Sequence, residues 1–370
     1  MTFHSAGVLD TVGDSPSFPL IHSTDSRSAR IVAKWERTNP AGSVKDRPAL
    51  HLVDFAERTG LLQPGGTIIE SSSGNFGISL AMIGAARKYR VIILVDPKAT
   101  PANLRVLHAY GAEVVVVTEQ DDTGSYHKTR IARANELAAA IPNSFRPDQC
   151  FNLANSEAHY QATGPEIVAE VGYPDVVVAA VSTGGQLGGL SRYFRDRSPK
   201  TVLVGVDAEG SQIFGGQSAA YAVPGVGLGW TPVNLDLALV DDAFKISSEL
   251  VFQACRALAR HEGILAGASS GAVYLAALRY ARALRPGQTV VAMLSDSGDR
   301  YLDTVFDPAW LEERGLSART PDLEQLCAYA DGLRSAAPLR PALVPGLEEE
   351  LGIPATTLWM NAEVSGSRVG

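Results

Sequence analysis

Three glycine-rich turns, each lying between a short apolar run and a helix-like run, constrain the fold of this chain more than any other feature. They occupy residues 70–77, 182–189 and 294–301. An apolar run followed by a turn and a helical pattern is typical of a strand, turn and helix in a parallel sheet. In such sheets the turns lie at the carboxyl ends of the strands, where glycine amides and a helix N-terminus can bind an anion. The three turns are therefore candidate ligand sites.

Strand-like and helix-like segments alternate along most of the sequence, which predicts an α/β protein with parallel sheets covered by helices. The predicted strands are 31–35, 67–70, 91–95, 114–118, 176–181, 202–207 and 289–294. The predicted helices are 48–59, 78–89, 101–110, 125–140, 165–171, 250–260 and 271–283. We expect these elements to form two sheets rather than one.

A segment rich in polar and turn residues, 144–156, indicates a crossing between two domains. We predict a smaller α/β domain at 41–154 and a larger one formed by 1–40 and 155–316. Each would be an open, twisted, mainly parallel sheet flanked by helices. After residue 316 prolines interrupt the pattern, and the tail 317–370 is expected to dock loosely, with short helices at 322–333 and 347–351.

Lys45 stands just after a turn-forming segment and before an apolar helix-like run, and it could face a cleft. A lysine in a partly desolvated pocket has its ammonium form disfavoured, and the neutral amine can form a Schiff base with an aldehyde cofactor. A lysine in the first turn of a helix is more often solvated. The spacing alone does not decide between these two interpretations.

Composition and charge exclude several classes of protein. The chain has 370 residues, of which 45% are hydrophobic and 19% charged, as in an ordinary globular protein. A net charge of −8 with no basic run argues against a nucleic-acid or anionic-membrane partner. No long apolar segment or signal-peptide pattern is visible, which predicts a cytosolic protein. The cysteines and histidines lack metal-binding spacing, so no metal site is predicted.

Residues 39–47, Asn-Pro-Ala-Gly-Ser-Val-Lys-Asp-Arg, resemble the lysine motif of the cysteine synthase and cystathionine β-synthase family. These are the fold-type II enzymes, similar to the tryptophan synthase β subunit, that use pyridoxal 5′-phosphate (PLP). Residues 72–75 resemble the family's asparagine loop and 182–186 its phosphate cradle. Residues 224–229 and 263–271 resemble two further signature stretches. The resemblance covers about residues 8–312.

The resemblance implies a role for each matching residue. Lys45 would hold PLP and then act as general base, Asn75 would bind the ring hydroxyl, and Ser297 would face the pyridine nitrogen. The residues implied for the cofactor phosphate are Ser182, Thr183, Gly184, Gly185 and Gln186. The residues implied for the substrate carboxylate are Ser71, Ser72, Ser73 and Asn75, assisted by Gln149.

Ser297 sets the expected reaction class. A serine hydroxyl can bind a neutral pyridine nitrogen, which leaves a carbanion poorly delocalised and favours loss of a β-leaving group. The implied chemistry is β-elimination to an aminoacrylate, followed by addition of a nucleophile. If Asp296 pointed at the ring instead, this argument would lose its force.

Residues 95–104, 210–215 and 298–306 are most similar to the family branch that serves 2,3-diaminopropionate biosynthesis. Its members join O-phospho-L-serine to the amino group of L-glutamate, and the product feeds a siderophore or antibiotic pathway. A phosphate leaving group needs a cation, and Arg130 is the candidate, with Ser182 as helper. Arg130 could equally be a solvated helix residue. By resemblance, the chain is expected to be a homodimer.

Three alternatives stay open. The first is a cysteine synthase that adds sulfide to O-acetylserine or O-phosphoserine. Phe76 and Gln186, where that enzyme usually carries threonines, put sulfide in doubt. The second is an NAD-dependent oxidoreductase using the turn 182–189 and Asp207, although the glycine spacing is not G-x-G-x-x-G. The third, a catalytically inactive binding scaffold, is disfavoured because Lys45 and Asn75 are both present.

Overall fold

Ten strands and eleven α-helices occur in the part of the chain that the computed structural model describes, residues 7–121, 124–337 and 339. The strands are β1 (Ser17–Pro19), β2 (Arg30–Trp35), β3 (Thr67–Ser71), β4 (Arg90–Val95), β5 (Glu113–Val116), β6 (Ser144–Phe145), β7 (Val176–Ala180), β8 (Val202–Ala208), β9 (Asp242–Ile246) and β10 (Thr289–Leu294). The helices are α1 (Asp46–Arg58), α2 (Asn75–Arg87), α3 (Pro101–Ala109), α4 (His127–Ala140), α5 (Ala154–Ala158), α6 (Gly164–Val171), α7 (Gly185–Arg197), α8 (Ser248–Glu262), α9 (Ala268–Ala283), α10 (Pro308–Glu312) and α11 (Leu323–Gly332).

The chain divides into two units, after Val44 and after Ala158. The first unit contains Lys45–Ala158 and the described residues up to Val12. The second contains Gly13–Val44 and the described residues from His159 onward. The predicted smaller domain, 41–154, and larger domain, 1–40 with 155–316, stay a prediction. The assignment of cofactor residues to two domains stays a prediction.

The first unit is built on a four-stranded parallel sheet in the order β5-β4-β3-β6. Ile69, Ile92 and Leu94 lie in its core, where Ala134 of α4 packs against them. The central strands β3 and β4 are buried along nearly their whole length, as is typical of a parallel sheet covered by helices. The arrangement places the end of β3 and the start of α2 at one edge of the sheet.

The second unit is built on a six-stranded sheet in the order β1-β2-β10-β7-β8-β9. All neighbours are parallel except β1, which pairs antiparallel with β2. Helix α9 packs on this sheet and α8 packs on α9, and most of the residues along α9 are buried. The predicted α/β architecture with mainly parallel sheets is confirmed.

The outer edge of β9 is paired by the segment that follows α11. Phe244 and Ser335 form an antiparallel bridge, and the Ala336 N–H donates to the Ala243 carbonyl at 2.8 Å. Leu326 and Ala330 of α11 are fully buried against the core of the second unit. The expectation that this part of the tail docks loosely is therefore wrong. The helix predicted at 347–351 lies outside the described residues.

Candidate active site

The turn between β3 and α2 carries four of the predicted site residues. Ser71 ends β3 and Asn75 is the first residue of α2, so residues 71–75, here called the serine loop, lie at the carboxyl end of a central strand and at a helix N-terminus. The Ser72 hydroxyl accepts a hydrogen bond from the Gly77 N–H at 3.1 Å, which shapes the turn. Such a position favours an anionic ligand because free amides and the helix dipole point toward it.

The Ser71 hydroxyl is buried and has no hydrogen-bond partner within the described part of the chain. A buried polar atom without a partner costs free energy, so native proteins retain few of them. A substrate carboxylate would supply the missing acceptor. This observation fits the predicted role of the serine loop.

Lys45 is half-buried at the N-cap of α1, and the start of this helix lies against the start of α2. The Ser79 hydroxyl of α2 is within hydrogen-bond distance of both the buried Asp46 carboxylate and the Asn75 carbonyl oxygen, the latter at 3.0 Å. These contacts hold the backbones beside Lys45 and Asn75 together. The structure therefore brings these two predicted cofactor residues into one region of the first unit.

Arg130 reaches the serine loop from α4. Its Nη1 donates to the Ser73 hydroxyl at 2.7 Å and lies 3.4 Å from the Asp96 carboxylate. The Ser73 hydroxyl in turn donates to Asp96 at 2.9 Å, and Asn103 donates to the Ser73 carbonyl at 3.0 Å. The side chain of Arg130 is only 8% exposed, so the solvated alternative is wrong. Burial lowers the pKa of Arg130, and Asp96 opposes that shift.

Gln149 is held at its backbone on both sides. The Glu70 carboxylate accepts from the Gln149 N–H at 3.3 Å, and Asn155 donates to the Gln149 carbonyl at 2.7 Å. Glu70 also accepts from the Ser71 N–H at 2.7 Å and from the Asp148 N–H at 2.8 Å. Sequence reasoning missed Glu70, although a carboxylate at the buried end of a strand, directly before the serine loop, was a visible signal.

The phosphate cradle, residues 182–186, joins β7 to α7 in the second unit. Gly184 has φ of +81°, a conformation that favours glycine, and α7 begins at the next residue. The Gln186 Nε2 is buried and meets no acceptor among the residues that the structure describes. A buried amide donor at a helix N-terminus fits a phosphate oxygen. The cradle therefore has the groups that the PLP phosphate requires.

Two neighbouring segments support the cradle. The Ser182 hydroxyl donates to the Gly227 carbonyl at 3.4 Å, and the Gly227 N–H donates to the Val181 carbonyl at 2.9 Å. The predicted glycine loop 224–229 thus lies beside it. On the other side, the Ser295 hydroxyl lies 3.5 Å from the Gln186 Oε1. The structure brings the second and third glycine-rich turns together.

Ser297 begins the short 3-10 helix Gly298–Tyr301. Its hydroxyl donates to the Asp299 carboxylate at 2.6 Å and accepts from the Asp299 N–H at 3.2 Å. Asp296 is buried and accepts from the Tyr301 hydroxyl at 2.6 Å. A Cβ on Gly267 would lie only 2.0 Å from its Oδ1, so Asp296 packs tightly against this glycine. These contacts engage Asp296 within the second unit and place the Ser297 hydroxyl at the end of β10.

The segment directly before Lys45 pairs with this turn. The Val44 N–H donates to the Ser295 carbonyl at 2.8 Å, and the Ser297 N–H donates to the Gly42 carbonyl at 3.3 Å. Ser43 and Asp296 form an antiparallel bridge between these bonds. The backbone that leads into Lys45 is therefore fixed against the loop that carries Ser297.

Residues 8–296 match the family model described as pyridoxal-phosphate dependent enzyme. The chain belongs to this family. PLP dependence and the fold-type II resemblance are thereby confirmed, and the NAD-dependent alternative is set aside. The fold supports the same conclusion, because the solved structure of O-ureido-L-serine synthase superposes with a TM-score of 0.75 at 34% identity, over 82% of this chain and 98% of that one.

Two further relatives narrow the class within the PLP family. The N-(2-amino-2-carboxyethyl)-L-glutamate synthase of Ralstonia nicotianae is 40% identical over 93% of this chain and 98% of its own length. The O-acetylserine dependent cystathionine β-synthase of Helicobacter pylori has a TM-score of 0.74 at 35% identity, over 80% of this chain and 97% of that one. These relatives support an enzyme of the β-replacement class. In the described ranges, no helix of this PLP-family member is long and apolar enough to cross a membrane.

Proposed function

We propose that this enzyme joins an O-activated L-serine, with O-phospho-L-serine favoured, to the amino group of L-glutamate and forms N-(2-amino-2-carboxyethyl)-L-glutamate. The Ralstonia relative, 40% identical over nearly the whole chain, supports this product. The observation that carries the choice of leaving group is the buried guanidinium of Arg130 against Ser73 of the serine loop. A dianionic leaving group needs such a cation close to the substrate carboxylate site.

Different residues bind different parts of the cofactor in this proposal. The cradle residues 182–186 hold the phosphate of PLP, and Gln186 contributes its buried amide. Asn75 binds the ring hydroxyl, and the Ser297 hydroxyl would turn from Asp299 to donate to the pyridine nitrogen. PLP, bound through Lys45, supplies an electron sink for the bonds at the substrate α-carbon.

The chain's own residues then bind the substrate and move its protons. Ser71, Ser72, Ser73 and Asn75 bind the α-carboxylate, together with Gln149. Lys45 would act as the general base that takes the α-proton of the substrate. Arg130, with Ser182 as helper, stabilises the negative charge on the leaving phosphate. The amino nitrogen of glutamate would replace the departing oxygen at the β-carbon and lose a proton, and Lys45 would return a proton to the α-carbon.

A second candidate is a cysteine synthase that uses O-acetyl-L-serine and sulfide. The observation that favours it is the position of Asp96, 3.4 Å from Arg130, because its carboxylate offsets the charge available to a phosphate. The O-acetylserine dependent relative of Helicobacter pylori supports an acetyl ester in the same fold. The two candidates share every cofactor residue and differ in leaving group and nucleophile.

One experiment separates the candidates. The purified, PLP-loaded enzyme is mixed with O-phospho-L-serine and its visible spectrum recorded, and L-glutamate or sulfide is then added in separate runs. We expect a new long-lived band that glutamate discharges with formation of the condensed amino acid, measured by mass spectrometry. Rapid turnover of O-acetyl-L-serine with sulfide, and no response to glutamate, would establish the cysteine synthase instead.

The biological setting stays a prediction. A product of this kind would be consumed by a dehydrogenase that releases 2,3-diaminopropionate for a siderophore or antibiotic. A cytosolic homodimer remains the expected state. Sedimentation of the purified enzyme tests whether it is a dimer.

A further inference from the structure

The side chain of Glu70 connects two segments that are far apart in sequence. One oxygen, Oε1, accepts from the Ser71 N–H at 2.7 Å. The other, Oε2, accepts from the Asp148 N–H at 2.8 Å and the Gln149 N–H at 3.3 Å. Three backbone amides therefore converge on one carboxylate that is only 1% exposed. Two of them belong to Ser71 and Gln149, the residues proposed to bind the substrate carboxylate.

The amide of Asp148 is held in an unusual backbone conformation. Asp148 has φ of +56°, which costs free energy for a residue other than glycine. Its side chain bonds Arg146 at 2.7 Å, and its N–H bonds Glu70. Such conformations persist where the surroundings fix them. The hydrogen bond to Glu70 is one of the interactions that fix this conformation of Asp148. It thereby sets the backbone position of the next residue, Gln149.

The charged and titratable groups around Glu70 come from two elements. Arg146, Asp148 and Cys150 lie on the segment after β6, and Arg130 approaches from α4. Burial raises the pKa of Glu70 to about 7, with Arg146 opposing the shift and Asp148 adding to it. A carboxylate accepts hydrogen bonds at both oxygens, whereas a protonated carboxyl group presents a donor on one of them. Protonation of Glu70 would therefore break the hydrogen bonds that one of its oxygens accepts.

We infer that Glu70 is a positioning residue, whose ionised carboxylate holds the serine loop and Gln149 together as one binding arrangement for the α-carboxylate of the amino-acid substrate. This inference rests on the proposed function, because that function assigns the carboxylate to Ser71 and Gln149. Glu70 touches neither substrate nor cofactor. It acts through the two backbone segments that it fixes.

The test measures binding of L-serine to the PLP-loaded enzyme from the change in the cofactor spectrum. L-serine carries the same α-carboxylate as O-phospho-L-serine but no phosphate, whose second ionisation near pH 6 would confuse the profile. In Glu70→Gln an NH₂ group replaces one oxygen and faces a backbone N–H. We expect the L-serine dissociation constant to rise at least about tenfold, while the affinity for PLP stays unchanged.

The pH profile distinguishes positioning from a general structural role. In the native enzyme, L-serine binding should weaken as pH falls from 8 to 6, since Glu70 becomes protonated. L-serine must also lose its ammonium proton to bond PLP, so one part of the profile belongs to the substrate and should be the same in every variant. The additional weakening that Glu70 causes should be absent in Glu70→Gln. Glu57→Gln is the matched control, because Glu57 also lies in the first unit and bonds Arg87 and Tyr89 but is remote in sequence from both segments. It should leave the constant and its profile unchanged.

The outcomes separate this inference from the proposed function. A native enzyme that shows no spectral change with L-serine or O-phospho-L-serine would overturn the proposed function. A native enzyme that binds both, with Glu70→Gln within about twofold of its L-serine affinity, would overturn the inference alone. If Glu70→Gln fails to fold, Glu70→Asp decides. Its charge remains but its side chain is one methylene shorter, so it should bind L-serine more weakly and keep the pH dependence.

Discussion

Removing the Ser71 hydroxyl separates an effect on substrate binding from an effect on protein stability, because only one oxygen atom is lost. Its buried hydroxyl makes no hydrogen bond within the described residues, so removing it should cost little in folding. We predict that Ser71→Ala keeps the free energy of unfolding within about 1 kcal/mol of the native value. It should raise the KM for the amino-acid substrate about tenfold, because one hydrogen bond to a carboxylate is lost.

Ser79→Ala is the natural control for this prediction. The Ser79 hydroxyl already bonds the Asp46 carboxylate, so its removal should lower stability in urea unfolding. Equal stability losses in the two variants would contradict the assignment of Ser71 to substrate. Steady-state kinetics and unfolding curves together give the answer.

The placement of residues within a single turn was predictable from the sequence, whereas their roles were implied by the resemblance and stay predictions. Ser71, Asn75 and the cradle each lie within a single glycine-rich turn, where the order of residues fixes the geometry. Arg130 could only be offered as one of two interpretations, because its contact with Ser73 depends on how α4 packs beside β3. Glu70 was missed for the same reason, since two of its partners, Asp148 and Gln149, follow it by more than seventy positions.

At the scale of elements, the packing of α7 determines the shape of the phosphate cradle. Gly188 lies in the first turns of α7, and a Cβ there would stand 1.8 Å from the Asn234 carbonyl oxygen. A backbone atom cannot move away as a flexible side chain can. The helix N-terminus would therefore have to shift if Gly188 became alanine.

We predict that Gly188→Ala raises the dissociation constant for PLP at least about tenfold. The displaced helix no longer directs its first amides and Gln186 at the phosphate. Equilibrium titration with PLP measures this. Gly332→Ala is the matched control, because this helical glycine has open space around it and alanine should be accepted there. Equal PLP affinity in both variants would show that the packing of α7 does not determine the shape of the phosphate cradle.

The predicted elements were found where apolar periodicity was strong, as in β4 and α9. The elements that sequence reasoning missed are short or lie at sheet edges, where burial imposes little pattern. β1 and β6 have three and two residues, and β9 alternates with polar positions. The second glycine-rich turn, 182–189, already contains the first turn of α7, which begins at Gly185. Glycine has low helix propensity, and here the close packing overrides it.

For the whole molecule, a buried carboxylate links stability to pH. Asp207 is the penultimate residue of β8, is fully buried, and has its Oδ2 without a partner in the structure as described. Burial raises the pKa of Asp207 from 3.8 to about 6. The raised value means that the folded protein binds a proton that the unfolded chain has already lost. Stability from this group is therefore complete below pH 3.8 and is lost as pH rises through 6.

We predict that Asp207→Asn removes this pH-dependent loss. The difference in unfolding free energy between variant and native protein should shift in favour of the variant by up to about 3 kcal/mol between pH 4 and pH 7. Glu70, with its pKa raised to about 7, contributes a loss of the same sign in both proteins. Urea unfolding across this range measures the difference. A difference that does not vary with pH would show that Asp207 stays ionised throughout.

The hydrogen bond between Ala336 and Ala243 covers the outer edge of β9 and so limits association between copies of this protein. An edge strand with unpaired backbone amides is a template for pairing with a strand of another molecule, and natural proteins protect such edges. One edge strand of the larger sheet is β1, and the other, β9, is paired with residues just after α11. A shortened protein that stopped before residue 335 would retain its catalytic side chains but offer β9 to its neighbours, and would tend to aggregate in concentrated solution.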